Sequence, residues 1–435
     1  MNAPGFRSFV PLVQSGGLIL IPAALISCLM LASLALGTLN PLFDDSMHRT
    51  GKGADFFAVY QAGTNLVEGI SIYSTDPVRQ EVPYYYPYRY HPFVALTIGL
   101  AAQLLPPFAA YGVWIIIVEI LLIVNAFKTW SLFQDKHHAA LAVSLWLVFS
   151  PLYLELFMGQ FSFLMASLVF WALLAWIQGA RTRGDTWWTL SLIVKSNSVL
   201  FVPALLREGR WKTVAIGGAV AAAIAIPYFA VVPGTYEQFA QNYSGRMTMS
   251  TLLGNQGFAA LIGIAILRTS GLWTDDLQVL GQRVPQMDQL MEIPLLLWTL
   301  MVLGGTLLIT LRSKRNSNPE VYLLWILAYF LFYKHVWEHH YVMLLPVFVL
   351  LYYRMISGGL SLSKNVFWWS YAVIALPSLF VFFDQSPVLF DPELSWEAWK
   401  SFAFHVPKPL AVLVLFVSLG RELLEPSGLP PIKSQ

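Results

Sequence analysis

Charged residues and cysteines are both scarce in this chain of 435 residues. Asp, Glu, Lys and Arg together make up 11% of the residues, whereas soluble domains have about 25%. Hydrophobic residues make up 57%, and the mean hydropathy is +0.61. So few charges cannot cover the surface of a soluble globular protein. The composition therefore predicts a protein of the lipid bilayer.

The shortage of cysteine excludes a disulfide-stabilised protein, and the small net charge gives no sign of a charged partner. Cys28 is the single cysteine and lies inside the first apolar run, so a disulfide framework within the chain is excluded. The net charge is +2, which gives no reason to expect a nucleic-acid partner. We find no internal repeat and no polar tail long enough to fold alone. We therefore expect residues 1–435 to form a single membrane domain.

The apolar runs predict an all-α polytopic membrane protein. The first run, 17–39, exceeds the roughly 7–15 apolar residues of a signal peptide, so we expect it to remain as an anchor. Further runs long enough to span a bilayer are 108–128, 139–157, 160–178, 212–231, 292–311, 365–383 and 408–424. A spanning helix needs about 20 apolar residues, so the runs 319–334 and 339–354 are short and should end near the polar cluster between them.

Two apolar segments do not read as simple spans. Residues 92–105 are short and have prolines at both ends, which favours a helix that lies along one membrane face. Residues 186–206 form one apolar stretch that Lys195 interrupts. A lysine at mid-bilayer is costly unless it meets a partner or water. We therefore expect a hairpin of two half-length helices over 184–206, with Lys195 at the turn.

The basic residues predict the orientation of the chain. With the N-terminus inside, short inner connections carry more than half of the 26 Lys and Arg residues. This arrangement gives about 12 membrane passes, with both termini in the cytoplasm. We expect the membrane to be the inner or plasma membrane of the cell. The extracytoplasmic face then holds the loops 40–107, 232–291 and 384–407.

The polar residues of the apolar region collect at the extracytoplasmic boundary in this arrangement, with Lys195 pointing toward it. Ionisable groups within a membrane are candidates for function. Besides Asp55 and Lys195, the residues at this boundary are Arg89, Tyr90, His91, Glu155, Gln160, Asn255, Gln256, Lys334, Trp337, Glu338, His339 and His340.

Asp55 follows the first membrane exit and begins a long aromatic loop. A carboxylate at the water–lipid boundary can accept a proton from a hydroxyl while a lipid-borne reactant lies beside it. Aspartate is also a favoured N-cap residue, so Asp55 could cap a helix that runs from Phe56 to Val67. The two roles are compatible.

Lys195 and the histidines also have structural alternatives. Lys195 could reach a carbonyl oxygen or a buried acid such as Glu119, or its ammonium group could bind a phosphate. His335, His339 and His340 have a spacing that is a weak indication of a metal site. We expect no metal there, and histidines that donate hydrogen bonds or carry protons instead.

Six short motifs occur in an order that resembles a known family. They are Asp55-Phe-Phe with Tyr60, Tyr88-Arg-Tyr-His-Pro92, Gly159-Gln160, Lys195, Asn255-Gln256 and Trp337-Glu-His-His340. Together they resemble the family 87 glycosyltransferases, which are polyprenyl-phosphate-mannose-dependent mannosyltransferases of the GT-C superfamily. The resemblance extends from about residue 50 to 350.

The resemblance implies a GT-C-like fold with interfacial helices in the first outer loop. It also implies inverting transfer of a hexose from a polyprenyl-phosphate sugar to a glycolipid or glycan, without a metal or other cofactor. Asp55 falls on the catalytic aspartate of the family. A single carboxylate suffices because phosphate is a good leaving group, whereas a glycosidase usually needs two.

We assign the remaining residues to the donor and acceptor on this basis. Lys195 is expected to bind the donor phosphate, helped by Arg89, Lys334 and His340. The residues expected to contact the sugar or the acceptor are Tyr60, Tyr90, His91, Gln160, Asn255, Gln256, Trp337, Glu338 and His339. The prenyl chain and the surrounding membrane lipids require only apolar surface.

Two other functions fit part of the pattern. A transporter or flippase of lipid-linked sugars would also have many passes and buried charge. Such proteins often have repeat symmetry and a midplane site, whereas here the polar residues gather at one face. A ligase or polymerase of lipid-linked glycans would place its chemistry in a larger, later outer loop.

Overall fold

The structure is a computed structural model that describes residues 16–39, 52–76, 79–243, 255–271, 277–313, 319–378 and 398–425. Every regular element within these ranges is helical. The predicted all-α architecture is therefore confirmed for the described part of the chain. The predicted loop 384–407 lies mostly outside the described residues, as do the first residues of the loop 40–107.

Eighteen helices and two 3₁₀ segments follow one another along the described residues. The helices are α1 (Gly17–Leu36), α2 (Ala54–Val67), α3 (Pro92–Ala102, with a π turn at Ala95–Gly99), α4 (Pro107–Trp130), α5 (Lys136–Leu147), α6 (Pro151–Met158), α7 (Ser162–Ile177), α8 (Arg181–Val194), α9 (Val202–Arg207), α10 (Trp211–Val231), α11 (Thr235–Tyr243), α12 (Phe258–Thr269), α13 (Leu277–Arg312), α14 (Pro319–Phe332), α15 (Leu345–Ile356), α16 (Lys364–Ala375), α17 (Ala398–His405) and α18 (Pro407–Leu424). The 3₁₀ segments are Ser196–Phe201 and Glu338–Leu344.

Six stretches of helix among the described residues are long and apolar enough to cross a membrane. They are Gly17–Leu36, Pro107–Trp130, Trp211–Val231, Gln289–Arg312, Glu338–Ile356 and Phe402–Leu424. A seventh appears if α5 and α6, bent by 44° at their junction, form one span. The predicted runs 160–178, 319–334 and 365–383 coincide in part with the shorter helices α7, α14 and α16. The chain is thus an integral membrane protein, and the count of about 12 passes stays a prediction.

The helices differ strongly in how much of their surface the protein buries. Only 11% of the apolar window in α1 and in α10 is buried, against 78% in Glu338–Ile356. Large apolar side chains on the outer helices therefore remain exposed, as contact with lipid requires. The centre, which α7, α14 and α15 build, is packed with buried aromatic and aliphatic side chains.

The apolar stretch around Lys195 is broken where the sequence predicts. Helix α8 ends at Val194, and Lys195 is extended, with φ −150° and ψ 113°. The hydroxyl of Ser191 donates to that of Ser198 at 2.8 Å, and the indole of Trp188 donates to the Ser198 carbonyl at 2.9 Å. In a continuous helix, Ser191 and Ser198 would be about 10 Å apart along the axis, too far for this hydrogen bond. The chain therefore folds back here.

Helix α3 packs across α2 instead of forming a long span. Gly63 meets Gly99 so closely that a Cβ on Gly63 would collide with the Gly99 carbonyl oxygen. The amide of Gln103 then donates to the Tyr60 carbonyl at 2.8 Å, and the Thr64 hydroxyl donates to the Gln103 side chain at 3.0 Å. These contacts fix α2, which carries Asp55, against the loop that follows it.

Candidate functional site

Two glycines allow the start of α2 to lie against the end of α6. Gly53 has φ +75°, and its N–H donates to the Phe157 carbonyl at 2.7 Å. Gly159 has φ +68°, and a Cβ there would lie 2.6 Å from the Cβ of Phe56. Both conformations favour glycine because a Cβ is strained at positive φ. This close approach places Asp55 beside the turn that follows α6.

Asp55 is not the N-cap of its helix. Gly53 occupies that position, without a side-chain cap, and Asp55 is the second residue of α2. Its Oδ2 atom is buried and has no hydrogen-bond partner in the described part of the structure. The interpretation of Asp55 as a helix cap is therefore wrong. An oxygen of its carboxyl group is left for a ligand.

Three polar side chains surround the Asp55 carboxyl group. Burial raises its pKa to about 6, while the charge of Lys195, a hydrogen bond from Gln160 and the charge of Arg89 act in the opposite direction. The carboxyl group is thus ionised at neutral pH, yet it is more basic than an exposed aspartate. Sequence-predicted residues from three separate segments meet here.

Gln160 connects Asp55 to Tyr90. The hydroxyl of Tyr90 donates to Gln160 Oε1 at 3.0 Å, which directs the amide NH₂ group away from Tyr90. The carboxylate of Asp55 can only accept hydrogen bonds, so this orientation of the amide suits it. The indole N–H of Trp114 donates to the Gln160 carbonyl at 3.3 Å and holds the turn in place.

Lys195 enters the same site from the break between α8 and the following 3₁₀ segment. Its Nζ donates to Ser162 Oγ at 2.6 Å, so it does not use Glu119, the alternative partner that the sequence allowed. The carboxyl groups of Glu155 and Asp55 are close enough to interact with its charge. The buried ammonium group therefore interacts with two acids and one hydroxyl.

Glu155 is a site residue to which the sequence alone assigned no role. It is 1% exposed, and its Oε1 accepts from the Phe163 N–H at 2.6 Å, at the start of α7. Its Oε2 has no hydrogen-bond partner among the residues described. An acid inside the apolar helix α6, close before Gly159, was the feature that could have identified it.

His339 and His340 lie in the 3₁₀ segment Glu338–Leu344, and their ring centroids are 4.2 Å apart. Both rings lie within electrostatic range of Lys195. His340 Nδ1 accepts from the Trp337 N–H at 3.0 Å. His339 is 3% exposed, and neither of its ring nitrogens has a partner within the described ranges. His339 thus offers hydrogen-bonding capacity that the described protein does not use.

A group of basic side chains adjoins Asp55 on another side. Burial, Lys334 and Arg89 lower the pKa of His335 to about 4. Burial and the charge of Arg89 likewise lower the pKa of Lys334. These groups disfavour each other's protonated form, and Arg89 also interacts with Asp55. Such an arrangement would be stabilised by an anion.

Asn255 and Gln256 differ in what their side chains contact. The Asn255 side chain donates to the Lys334 carbonyl, and its Oδ1 accepts from the Val336 N–H at 3.1 Å. The Gln256 backbone pairs with Val336 and Tyr341, but both polar atoms of its side chain are buried without a hydrogen-bond partner in the described structure. Asn255 therefore supports the segment before Trp337, and Gln256 remains available to a ligand.

Three further predicted residues make contacts that hold the fold. The hydroxyl of Tyr60 donates to the Leu105 carbonyl at 3.0 Å. His91 caps α3 through its Nδ1, and its Nε2 lies 3.1 Å from the Ala221 carbonyl. Glu338 forms a buried ion pair with Lys408.

A small apolar cavity, partly open to the outside, lies next to the Lys195 turn. Met165 and Ala166 line it from α7, whose first residue, Ser162, binds Lys195. Asn197 and Ser198 line it from the 3₁₀ segment that follows Lys195. The other residues at its wall include Trp325, Tyr329 and Met343. An apolar chain could thus lie beside the polar site.

Comparison with known proteins gives one family match. A sequence profile of glycosyltransferase family 87 matches residues 88–334. The matched part contains Arg89, Gln160 and Lys195, whereas Asp55 and the 3₁₀ segment Glu338–Leu344 lie outside it. No curated protein matches the chain.

Proposed function

Since the chain belongs to glycosyltransferase family 87, we propose that it transfers a hexose from a polyprenyl-phosphate sugar to a glycolipid or glycan acceptor. Mannose is the first sugar to test. The transfer takes place at the extracytoplasmic face of the inner or plasma membrane. Both termini are cytoplasmic, and the helices form a GT-C-like arrangement of about 12 passes.

One observation carries this proposal: the unpartnered Oδ2 of Asp55 lies in a site that it shares with the Lys195 ammonium group. In the proposed reaction, a hydroxyl of the acceptor reaches this buried oxygen and the lipid phosphate binds the cation. A base and a cation are the two groups that direct displacement from a sugar phosphate requires.

The reaction is a single displacement at the anomeric carbon. The acceptor oxygen forms a bond to this carbon while Asp55 takes the hydroxyl proton. The bond from the anomeric carbon to the phosphate oxygen breaks, and the phosphate leaves with the electron pair. Attack from the opposite side inverts the configuration. General-base catalysis contributes typically about 10²–10⁴-fold to such a step.

The leaving phosphate is stabilised by groups that are already in place. Lys195 provides the nearest cation, with His340 beside it. Arg89 and Lys334 extend the positive potential along the edge of the site. Cations fixed before the reaction stabilise developing charge without reorganisation. In this proposal they do so without a metal or other cofactor.

The hydroxyls of the sugar and the acceptor face the unused polar atoms of His339 and Gln256. Tyr90, Gln160 and Trp337 complete this side of the site. Tyr60, His91 and Asn255 contribute through the loops that they hold. The prenyl chain occupies the apolar cavity beside Lys195, which brings its phosphate to the ammonium group.

Purified protein, incubated with radiolabelled polyprenyl-phosphate-mannose and membrane lipids, tests the proposal. We expect a labelled glycolipid or glycan product, and a loss of about 10²-fold or more in the Asp55→Asn variant. Glu81→Gln, which changes another acid of the same loop, is the matched control and should remain active.

Two results would overturn the proposal. One is the absence of incorporation from any prenyl-phosphate sugar, and the other is full activity of folded Asp55→Asn. A transporter would move labelled lipid across vesicle membranes without forming a new glycoside. The same labelled donor therefore separates the two functions.

A further inference from the structure

A buried ion pair joins the C-terminal helix to the segment that carries the histidines. Lys408 Nζ lies 2.8 Å from Glu338 Oε1, and both residues are 3% exposed. The N–H of Ser378 donates to both carboxylate oxygens of Glu338 at 3.1 Å. Lys408 Nζ also lies 5.4 Å from the centre of the Tyr341 ring. The Glu338 carboxylate thus accepts three hydrogen bonds, one from Lys408 and two from the Ser378 N–H.

The location of Lys408 is not explained by the stability of its own helix. Lys408 is the second residue of α18, where the helix dipole disfavours a positive charge. A buried ion pair is also weak evidence for stability, because apolar side chains of similar volume often replace it without loss. Such pairs can instead fix one arrangement among several.

The arrangement that this pair fixes is that of the 3₁₀ segment Glu338–Leu344. Glu338 is its first residue and directly precedes His339, whose ring nitrogens are both unused within the described ranges. Tyr341 of the same segment donates to the Gln256 carbonyl at 2.8 Å. Lys408 lies beyond the part of the chain that the family profile matches, which ends at residue 334.

We propose that Lys408 is a positioning residue of the transferase. Through Glu338 it holds the 3₁₀ segment so that His339 faces the donor and acceptor. This inference rests on the proposed function and gives Glu338 a role in orientation instead of sugar binding. The C-terminal helix is then part of the active site, although none of its residues touches the substrate.

A double-mutant cycle between Lys408 and His339 tests the inference. We expect Lys408→Met to lower kcat/KM for the prenyl-phosphate sugar about 10-fold or more, and His339→Ala to do so as well. If Lys408 acts through His339, the double variant is no slower than His339→Ala alone. An effect through general structure would multiply with the loss of His339.

Further variants separate positioning from folding. Lys408→Met leaves the Glu338 carboxylate buried without its cation, so the neutral pair Lys408→Met/Glu338→Gln is measured in parallel. We expect this double variant to unfold at the same temperature as the wild type and still to have a reduced kcat. Lys408→Arg should restore kcat, because it returns a cation to the carboxylate.

The chain offers a matched control in another ion pair, between the partly buried Arg354 and the buried Glu320. This pair joins the start of α14 to the end of α15, at the ends of these helices that lie away from the 3₁₀ segment. Arg354→Met/Glu320→Gln should leave kcat/KM unchanged per folded molecule. Its effect on stability should be independent of His339.

The outcomes distinguish the two proposals. If wild-type protein transfers no sugar from any prenyl-phosphate donor, the proposed function fails and this inference fails with it. If the wild type is active but the Lys408→Met and His339→Ala effects multiply, only the inference is overturned. A His339→Ala variant with unchanged kcat/KM would overturn it equally, since nothing would remain for Lys408 to position.

Discussion

At the scale of single residues, two opposing effects determine the pKa of Asp55. An aspartate this deeply buried is disfavoured as an anion, and one beside a lysine is favoured as an anion. The balance leaves the pKa at about 6, with an oxygen that no described protein group occupies. A group of this kind is ionised at neutral pH and is still a useful proton acceptor.

The pH dependence of transfer follows from this balance. Only ionised Asp55 can accept a proton, so kcat/KM should fall as the pH drops through about 6 and should be constant above it. Arg89→Gln removes a charge that lowers the pKa of Asp55, so the midpoint should move upward. Rates measured from pH 4.5 to 8.5 test both expectations.

The control for this experiment is Arg79→Gln. Arg79 is exposed, lies in the same loop and contacts Glu81 and Glu68. Its replacement should leave the midpoint unchanged. A rate that does not depend on pH over this range, or one that rises as the pH falls, would contradict the role of Asp55 as the base.

At the scale of the elements, the sequence predicted where most helices lie because long apolar runs have few alternatives. The run 108–128 became α4, and the run 212–231 became α10, each within two residues. The break at Lys195 was also predictable, because a lysine inside an apolar helix is costly. These features depend on local composition.

The contacts between elements were not predictable in the same way. Glu338 was expected to bind sugar, yet its partner Lys408 lies 70 residues further along the chain. Asn255 was expected to do the same, and its side chain holds the backbone before Trp337. Nothing in the neighbouring residues indicates such distant partners, so only the packed structure assigns them.

The junction between α2 and α6 should be sensitive to the smallest added side chain. Gly159→Ala places a Cβ 2.6 Å from that of Phe56, next to Asp55, and does so at positive φ. We expect a loss of stability greater than the about 1–2 kcal/mol of backbone strain alone, together with a reduced kcat. Thermal unfolding and transfer rates measure the two effects.

Gly179→Ala provides the matched control for this junction. Gly179 also has positive φ, but a Cβ there has no neighbour within 4 Å. This variant should show only the strain of about 1–2 kcal/mol and an unchanged kcat per folded molecule. Equal effects of the two substitutions on kcat would argue against the importance of the α2–α6 contact.

The apolar cavity makes a prediction about donor length. Ala166→Leu places a larger side chain in the wall and so narrows the cavity. KM should therefore rise for donors with long prenyl chains and change little for donors with short ones. Ala172→Leu, on the same helix but not part of the cavity lining, controls for overpacking of the core, which typically costs about 1–3 kcal/mol. An equal rise in KM for both donor lengths would place the prenyl chain elsewhere.

At the scale of the whole molecule, the burial of the helices divides the protein into a ring and a centre. The least buried helices, α1 and α10, present apolar side chains outward, whereas α7, α14 and α15 are packed inside. Asp55, Glu155, Lys195 and His339 come from four segments that meet at this centre. Within the described part of the chain, the polar site is therefore supported by closely packed helices.

The orientation of this assembly is the last property to test, because the proposed donor must meet Asp55 on the extracytoplasmic side. The charge pattern predicts that Gln80 faces the outside and Thr182 the cytoplasm, and both residues are exposed. With Cys28 replaced by alanine, no native cysteine remains. A membrane-impermeant maleimide added to intact cells should then label Gln80→Cys, and should label Thr182→Cys only after the cells are opened. The reverse labelling pattern would place the Asp55 carboxylate on the cytoplasmic side. It would then contradict the orientation that the distribution of Lys and Arg predicts.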